Sequence, residues 1–277
     1  MDSMAQQSIE LPFFWLAFMA YSIACVLYVV FFGLNKKNVA IAASVFMGAA
    51  LVFHTAAIAG RSIHLHHLPL TNMFEYINVF SWFSSCFYFV YLIIYKHHIL
   101  GAFIAFLVFM LMTAGSILPK TAEMQLVPAL QSYWLQIHVT LACLSEAAFL
   151  AAFAANIMYI LKRIFPSASK FSGRLPEIQT LDRIAYRAIC VGYPLFTVGA
   201  LFAGSIWAEQ AWGSFWSWDP KEVGSLIVWL VYSAYLHARF VKGWSGMRAA
   251  LLSAAGFICT ILTFFANLIL GGLHSYG

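Results

Sequence analysis

The sequence predicts an all-α, polytopic integral membrane protein: a bundle of about eight transmembrane helices, with the N- and C-termini extracytoplasmic. Three observations carry that expectation. The 277 residues are 63 % hydrophobic and only 9 % charged, against about 25 % charged in soluble domains. The apolar residues gather into eight runs near the roughly 20 residues needed to cross the hydrocarbon core as a helix. The basic residues between those runs fall unevenly on alternate sides.

In order, the runs are 11–32, 39–60, 74–95, 99–118, 133–161, 185–207, 223–240 and 249–270. The first follows Asp2 and Glu10 with no basic region before it, which reads as a retained helix rather than a cleaved signal. The third is entered through Pro69 to Tyr76, where Thr71 or Asn72 can cap the helix and Glu75 suits its N-terminal dipole. The fifth holds His138, Glu146 and Asn156. The longest break, about 162–183, is rich in Ser, Pro and basic residues; it is a conceivable boundary, but no internal repeat accompanies it, so a single domain over 1–277 is the simpler expectation. The sixth and seventh runs are joined by an unusual loop at 208–222, and the eighth ends in Gly271 to Gly277. Asn156 and Asn267 read as interhelical hydrogen-bonding residues.

An even number of crossings leaves both termini on one side. With the N-terminus outside, twelve Lys and Arg fall on inner loops and helix ends, and only Arg61, Lys120 and Lys221 lie outside. That asymmetry is the positive-inside pattern. It accounts for the net charge of +5 without nucleic acid as a partner. Five cysteines stand singly within apolar runs and read as small hydrophobes, neither disulfides nor a redox pair. No CxxCH occurs, so the chain does not hold haem covalently in the c-type manner.

The loop contains Trp212-Gly213-Ser214-Phe215-Trp216-Ser217-Trp218-Asp219-Pro220-Lys221-Glu222. Three indoles in seven residues suit a large planar ligand that needs stacking and a few N–H tethers. An interfacial aromatic belt is the other reading, although belts scatter Trp over many helix ends. Pro220 fixes its own φ and drives Asp219 out of the helical region, so a defined turn is expected there.

Topology sorts the nine histidines. His138, about one turn into the fifth run, and His274, just beyond the eighth, share the outer side with the Trp loop. Together they could supply both axial ligands of an iron porphyrin, with the indoles over the ring and Trp N–H groups or Lys221 at the propionates. Either alone could equally be an interfacial side chain bonded to a carbonyl. His237 lies about 14 residues below the outer end of its helix, roughly 21 Å at 1.5 Å per residue. An ionisable group at that depth is a functional candidate. His54 lies about 13 Å away in depth by the same count, too far to be the second ligand of one iron with His237. Glu146 falls near the depth of His237 and could orient it, pair with Arg187 or bond within the bundle. His64, His66 and His67 have zinc- or copper-like spacing but no adjacent Cys, Asp or Glu, which favours a solvated loop.

The Trp-Gly-x-x-Trp-x-Trp-Asp-Pro-Lys-Glu run resembles the tryptophan-rich signature of haem-handling membrane proteins. Its Pro-Lys-Glu ending is most similar to the System II cytochrome c biogenesis proteins of the CcsA/ResC type. Pro69 to Tyr76, Leu135 to Val139, Tyr235 to Arg239 and Gly272 to Tyr276 agree with that family, from about residue 69 to the end. The resemblance implies an extracytoplasmic site with His138 and His274 as axial ligands and Trp212, Trp216, Trp218 and Asp219 at the ring. It implies His237 as a transmembrane ligand on the delivery path, with haem b bound non-covalently in transit. It further implies a CcsB/ResB-type membrane partner and apocytochrome c, and accommodates a thioredoxin-like thiol reductant. The activity implied is covalent ligation of haem to CxxCH, the chain being the haem-binding subunit of a holocytochrome c synthase (haem lyase). An exporter or chaperone delivering haem to a separate ligase is the alternative. A quinol-oxidising two-haem subunit would want paired histidines within the bundle at matching depths, whereas here only His237 has a clear place in it. The membrane implied is the bacterial cytoplasmic membrane, or the thylakoid if the chain is plastid-encoded.

Overall fold

A computed structural model describes residues 10–120, 126–165 and 170–274, with side chains at all of these except 170–171 and 267–269. Asp2, the Asn267 side chain and the 275–277 end of the last motif therefore lie outside the described residues. The protein is an all-α polytopic membrane helix bundle. Among the described residues, eight helices are long and apolar enough to cross a membrane. They are α1 (Glu10–Leu34), α2 (Lys37–Leu65), α3 (Met73–Tyr95), α4 (Ile99–Ile117), α5 (Tyr133–Ile164), α6 (Ile178–Trp212), α7 (Pro220–Lys242) and α8 (Met247–Leu270). The chain divides into two compact units, Met1–Leu126 and Val127–Gly277. The 162–183 segment thus lies inside the second unit rather than at the division.

In the first unit, α1 and α2 pack along small residues, with Ala17, Ala24, Ala43 and Ala50 all fully buried. Close backbone approach of this kind drives helix association where lipid offers no hydrophobic contrast. α3 starts as its sequence demands: Asn72 accepts from the Glu75 N–H at 2.9 Å. Glu75 does more than favour a dipole, however. Its Oε1 takes Arg61 Nε at 2.8 Å and its Oε2 takes the Thr71 N–H and hydroxyl at 2.8 Å each. Arg61, read from sequence as an outer-loop charge, is 3 % exposed and tied to both Glu75 and Glu10.

The second unit is built on α5, whose residues 145–152 are all buried. Phe149 stacks on Tyr232 of α7 at 3.9 Å, and Asn156 donates to Ser253 of α8 at 2.7 Å, the interhelical bond expected of it. α6 begins earlier than the apolar run at 185–207. Leu181, Ile184, Ala185, Ala188 and Ile189 are buried at helical spacing between charged residues, an amphipathic turn that a purely apolar window passes over. α6 is also irregular: Pro194 precedes a π-helical segment, Thr197–Ala203. Proline lacks an N–H and crowds the carbonyl four residues back, so a widened turn next to it relieves the ladder. α7 starts at Pro220 with Asp219 as N-cap in a full capping box with Glu222. All five cysteines are free, but only Cys143 is fully buried; the other four are partly exposed.

Candidate haem site

The site is assembled from α5, the π segment of α6, the Trp-rich loop and the residues after α8, all in the second unit. His138 sits where α5 meets the π segment, and its Nδ1 lies 2.9 Å from the Gly199 carbonyl oxygen. A carbonyl can only accept, so Nδ1 carries the proton and the lone pair of the neutral ring is on Nε2. Gly204, one turn further on, approaches so closely that a Cβ there would lie 2.9 Å from His138 Nδ1.

His274 is held in the same manner from the other direction. Its Nδ1 is 2.8 Å from Asp219 Oδ1, and the Leu273 N–H donates to Asp219 Oδ2 at 2.6 Å. Gly272, at φ +133, keeps this approach open, because a Cβ there would overlap the carboxylate. Asp219 thus caps α7 and holds the segment after α8 at once. Its carboxyl is pushed up by burial, yet the His274 ring and the Lys221 and Leu273 N–H groups more than offset this, leaving it below its ordinary value. It is therefore ionised and an acceptor, and the Nδ1–H of His274 leaves Nε2 unprotonated in the neutral ring. A carboxylate or carbonyl behind Nδ1 is the arrangement that orients metal-binding imidazoles.

Trp207, at 2 % exposure, touches both histidines. It stacks on His138 at 5.8 Å and 10° and meets His274 edge-on at 5.3 Å. Trp212 completes the group, 5.1 Å from His274 and 5.0 Å from Trp207. Trp207 donates its N–H to the Ala129 carbonyl at 2.8 Å, whereas the buried Nε1 of Trp212 has no hydrogen-bond partner among the described residues. A buried indole N–H left open is a donor waiting for an acceptor that the protein does not supply. Two Nε2 lone pairs, an aromatic wall and one open donor form a donor set that fits an iron porphyrin with an acidic side chain.

Trp216 and Trp218 pair edge to face with each other at 5.8 Å, and Trp218 is 70 % exposed. Trp218 also stands at φ +60, a conformation unusual for a bulky residue. Glu222 is spent on the turn: it accepts from the Ser217 N–H at 2.7 Å and the Asp219 N–H at 3.2 Å. The expected defined corner at Asp219 and Pro220 is present, with Asp219 extended at φ −56, ψ 146.

His237 lies on α7 and is exposed. Two residues on, Arg239 holds Asp182 of α6 through two bonds of 2.9 Å and lies over the Tyr186 ring, anchoring that end of α7. The electrostatic neighbours of Glu146 include Lys221 and Tyr232. His54 is wholly buried in the first unit against Tyr21. His66 ends α2 in the left-handed conformation, and among the described residues no group of three metal-ligating side chains forms at that loop or elsewhere.

Sequence reasoning missed Trp207 and Gly199. Trp207 lay at the end of an apolar run, where an indole reads as interfacial, and nothing local marks a π segment.

A family model described as cytochrome C assembly protein matches residues 13–274. The cytochrome c biogenesis protein CcsA of Chlamydomonas reinhardtii is 37 % identical over 255 residues, covering 88 % of this chain and 70 % of the relative. The CcsA of Gloeothece citriformis is 33 % identical over 274 residues, covering 80 % and 83 %. Among solved structures, the cytochrome c haem lyase CcmF superposes with a TM-score of 0.75 at 15 % identity, over 96 % of this chain and 48 % of that one. The chain thus spans about half of CcmF and shares its fold. With a family match over nearly its whole length, the chain belongs to the cytochrome c assembly protein family.

Proposed function

We propose that the chain serves cytochrome c maturation by accepting haem b, non-covalently and in transit, and presenting it on the extracytoplasmic face for attachment to CxxCH. The observation that carries this reading is the pair of imidazoles, His138 and His274, each with Nδ1 engaged and its ring in contact with Trp207. Here haem is the substrate. His138 and His274 would hold its iron, Trp207 and Trp212 would wall it, and the open Trp212 N–H would take a propionate. Trp216 and Trp218 lie further along the same loop and suit the rim facing the apocytochrome.

Thioether formation adds a thiol across a vinyl group: sulfur bonds to one vinyl carbon and a proton goes to the other, with no net oxidation when haem is ferrous and the thiols are reduced. The chain's part is to fix the porphyrin so that its vinyls meet the two cysteines in one register, since positioning alone can supply much of such a barrier. None of its own cysteines lies in the Trp loop, so sulfur comes from the apocytochrome. The chain is then the haem-binding subunit of a haem lyase. His237, exposed on α7, suits a station completed by a ligand from a CcsB/ResB-type partner. A thioredoxin-like reductant would keep the thiols reduced. The positive-inside count supports a Trp loop and termini on the outer side, and the membrane we assign is the bacterial cytoplasmic one, or the thylakoid if the chain is plastid-encoded.

Expression of the chain with its partner and a CxxCH reporter in a host lacking its own maturation system tests the reading. Covalent haem on the reporter, lost in His138→Ala and His274→Ala and partly restored by added imidazole, is expected. Full maturation in the double variant would overturn the ligand assignment. Haem released to the outside without thioether formation, even with the partner present, would favour the exporter instead.

A further inference from the structure

The interior of the first unit carries a line of polar side chains that helix packing does not require. At one end, Glu10, Arg61 and Glu75 are each at most 3 % exposed. Arg61 satisfies Glu75 but reaches Glu10 through a single oxygen at 3.4 Å, and Glu10 Oε2 has no partner among the described residues. These residues line a cavity of about 20 Å³ together with Asn78, which is room for one water. Next comes His54, fully buried, its Nδ1 3.3 Å from the Tyr21 hydroxyl and its Nε2 without a partner among the described residues. Asn78 interacts with His54, and Ser85 with Tyr21.

At the other end, Tyr28, Tyr88 and Ser44 share hydroxyl contacts, and Ser44 lies 2.9 Å from His98 Nδ1. His98 is partly exposed beside Lys37, and burial together with that charge holds its imidazole below its ordinary value, so the ring is neutral with one nitrogen unprotonated near pH 7. Between the ends stand Ser81, Ser84 and Ser85, all fully buried, with Ser81 Oγ unpartnered among the described residues. Along α2, Ser44 to Arg61 spans about 25 Å at 1.5 Å per residue, nearly the roughly 30 Å of the hydrocarbon core.

Three unpartnered buried polar atoms in one bundle are costly where lipid supplies no hydrogen bonds, and buried water is the usual remedy. Hydroxyls and imidazoles both donate and accept, so alternating with water they can hand protons along. Chains of acidic and histidine side chains inside membranes mark such relays. We propose that the first unit is a water-bridged proton path across the membrane, running from His98 past Ser44, Tyr28, Tyr21 and His54 to the carboxylate of Glu10. A proton entering at His98 is matched by one leaving Glu10, and each intermediate group releases one proton as it takes up the next. Lys120, over the rings of Phe14 and Phe74, is the further cation near the carboxylate end.

The test is proton flux into liposomes holding the purified full chain and a trapped pH dye, driven by a potassium diffusion potential. Flux several-fold above protein-free liposomes is expected, returning to that baseline in His54→Leu and falling in Tyr21→Phe. Helicity and melting temperature in detergent identify any variant that fails to fold, in which case Tyr21→Phe, which keeps the ring, decides. Hydroxyl-radical footprinting should also label Tyr21, because the proposed path requires water beside it. Baseline flux in the wild-type chain, or undiminished flux in a folded Tyr21→Phe, His54→Leu double variant, would overturn the proposal.

Discussion

Asp219 does three things with one carboxylate: it caps α7, holds the Leu273 N–H and fixes the proton on His274. Removing the cap alone costs about 1 kcal/mol in typical helices, so Asp219→Ala should lower the melting temperature and loosen haem together. Asp219→Asn separates the charge from the shape. Because its folded-state carboxyl sits below its ordinary value, the stability it adds is present above the unfolded value of about 3.9 and is lost as pH falls through the lower folded one. The melting-point gap between wild type and Asp219→Asn should therefore be constant near neutrality and close only in strong acid. A gap that closes around neutral pH would mean that another group governs it. At Gly272 a Cβ would strike this carboxylate, so Gly272→Ala should release His274 while leaving α7 capped, read as weaker haem retention at unchanged helicity. At this scale the sequence was informative: His138, His274, Trp212 and Asp219 stand out by side and composition. Trp207 did not, because an indole at a helix end looks the same whether it faces lipid or two imidazoles.

Among the elements, α6 departs furthest from what its sequence announces. Its π segment aims the Gly199 carbonyl at His138 and so sets which imidazole nitrogen is open. Deleting Ala200 should convert the segment to regular α-helix with Trp207 kept on its face, withdrawing the Gly199 carbonyl from His138 and weakening haem binding with helical content preserved. Haem binding undiminished by the deletion would show the π turn to be incidental. The α5 to α8 contact is of the ordinary kind: a double-mutant cycle on Asn156→Ala and Ser253→Ala should give a coupling near 0.6 kcal/mol. Glu75→Gln, by contrast, leaves Arg61 buried with a weaker partner, and loss of one member of a buried pair costs about 3–5 kcal/mol. Helix existence was legible throughout from apolar run length. Helix ends were legible where a cap spells them, as at Asn72 and Asp219, and not where an amphipathic turn extends the run, as at 178–184. The Arg61 to Glu75 pairing is a tertiary contact between helices, which no local spacing reveals.

For the whole molecule, family membership and the eight-helix membrane fold follow from the match over residues 13–274 and from the spans themselves. The orientation rests on the count of basic residues, so cysteines introduced at Lys36 and at Ser214 should label from opposite sides of sealed membranes. Labelling from one side would refute the topology. The division after Leu126 was not legible, because the apolar runs continue across it with only a polar break to mark the place. The central claim is that His138 and His274 hold one haem between them. Its most direct measurement is the low-temperature electron paramagnetic resonance spectrum of the oxidised, purified chain with and without each substitution. A low-spin ferric signal of two imidazoles, converted to high-spin by His138→Ala or by His274→Ala and restored by imidazole, is the expected result. A signal indifferent to both substitutions would contradict the account.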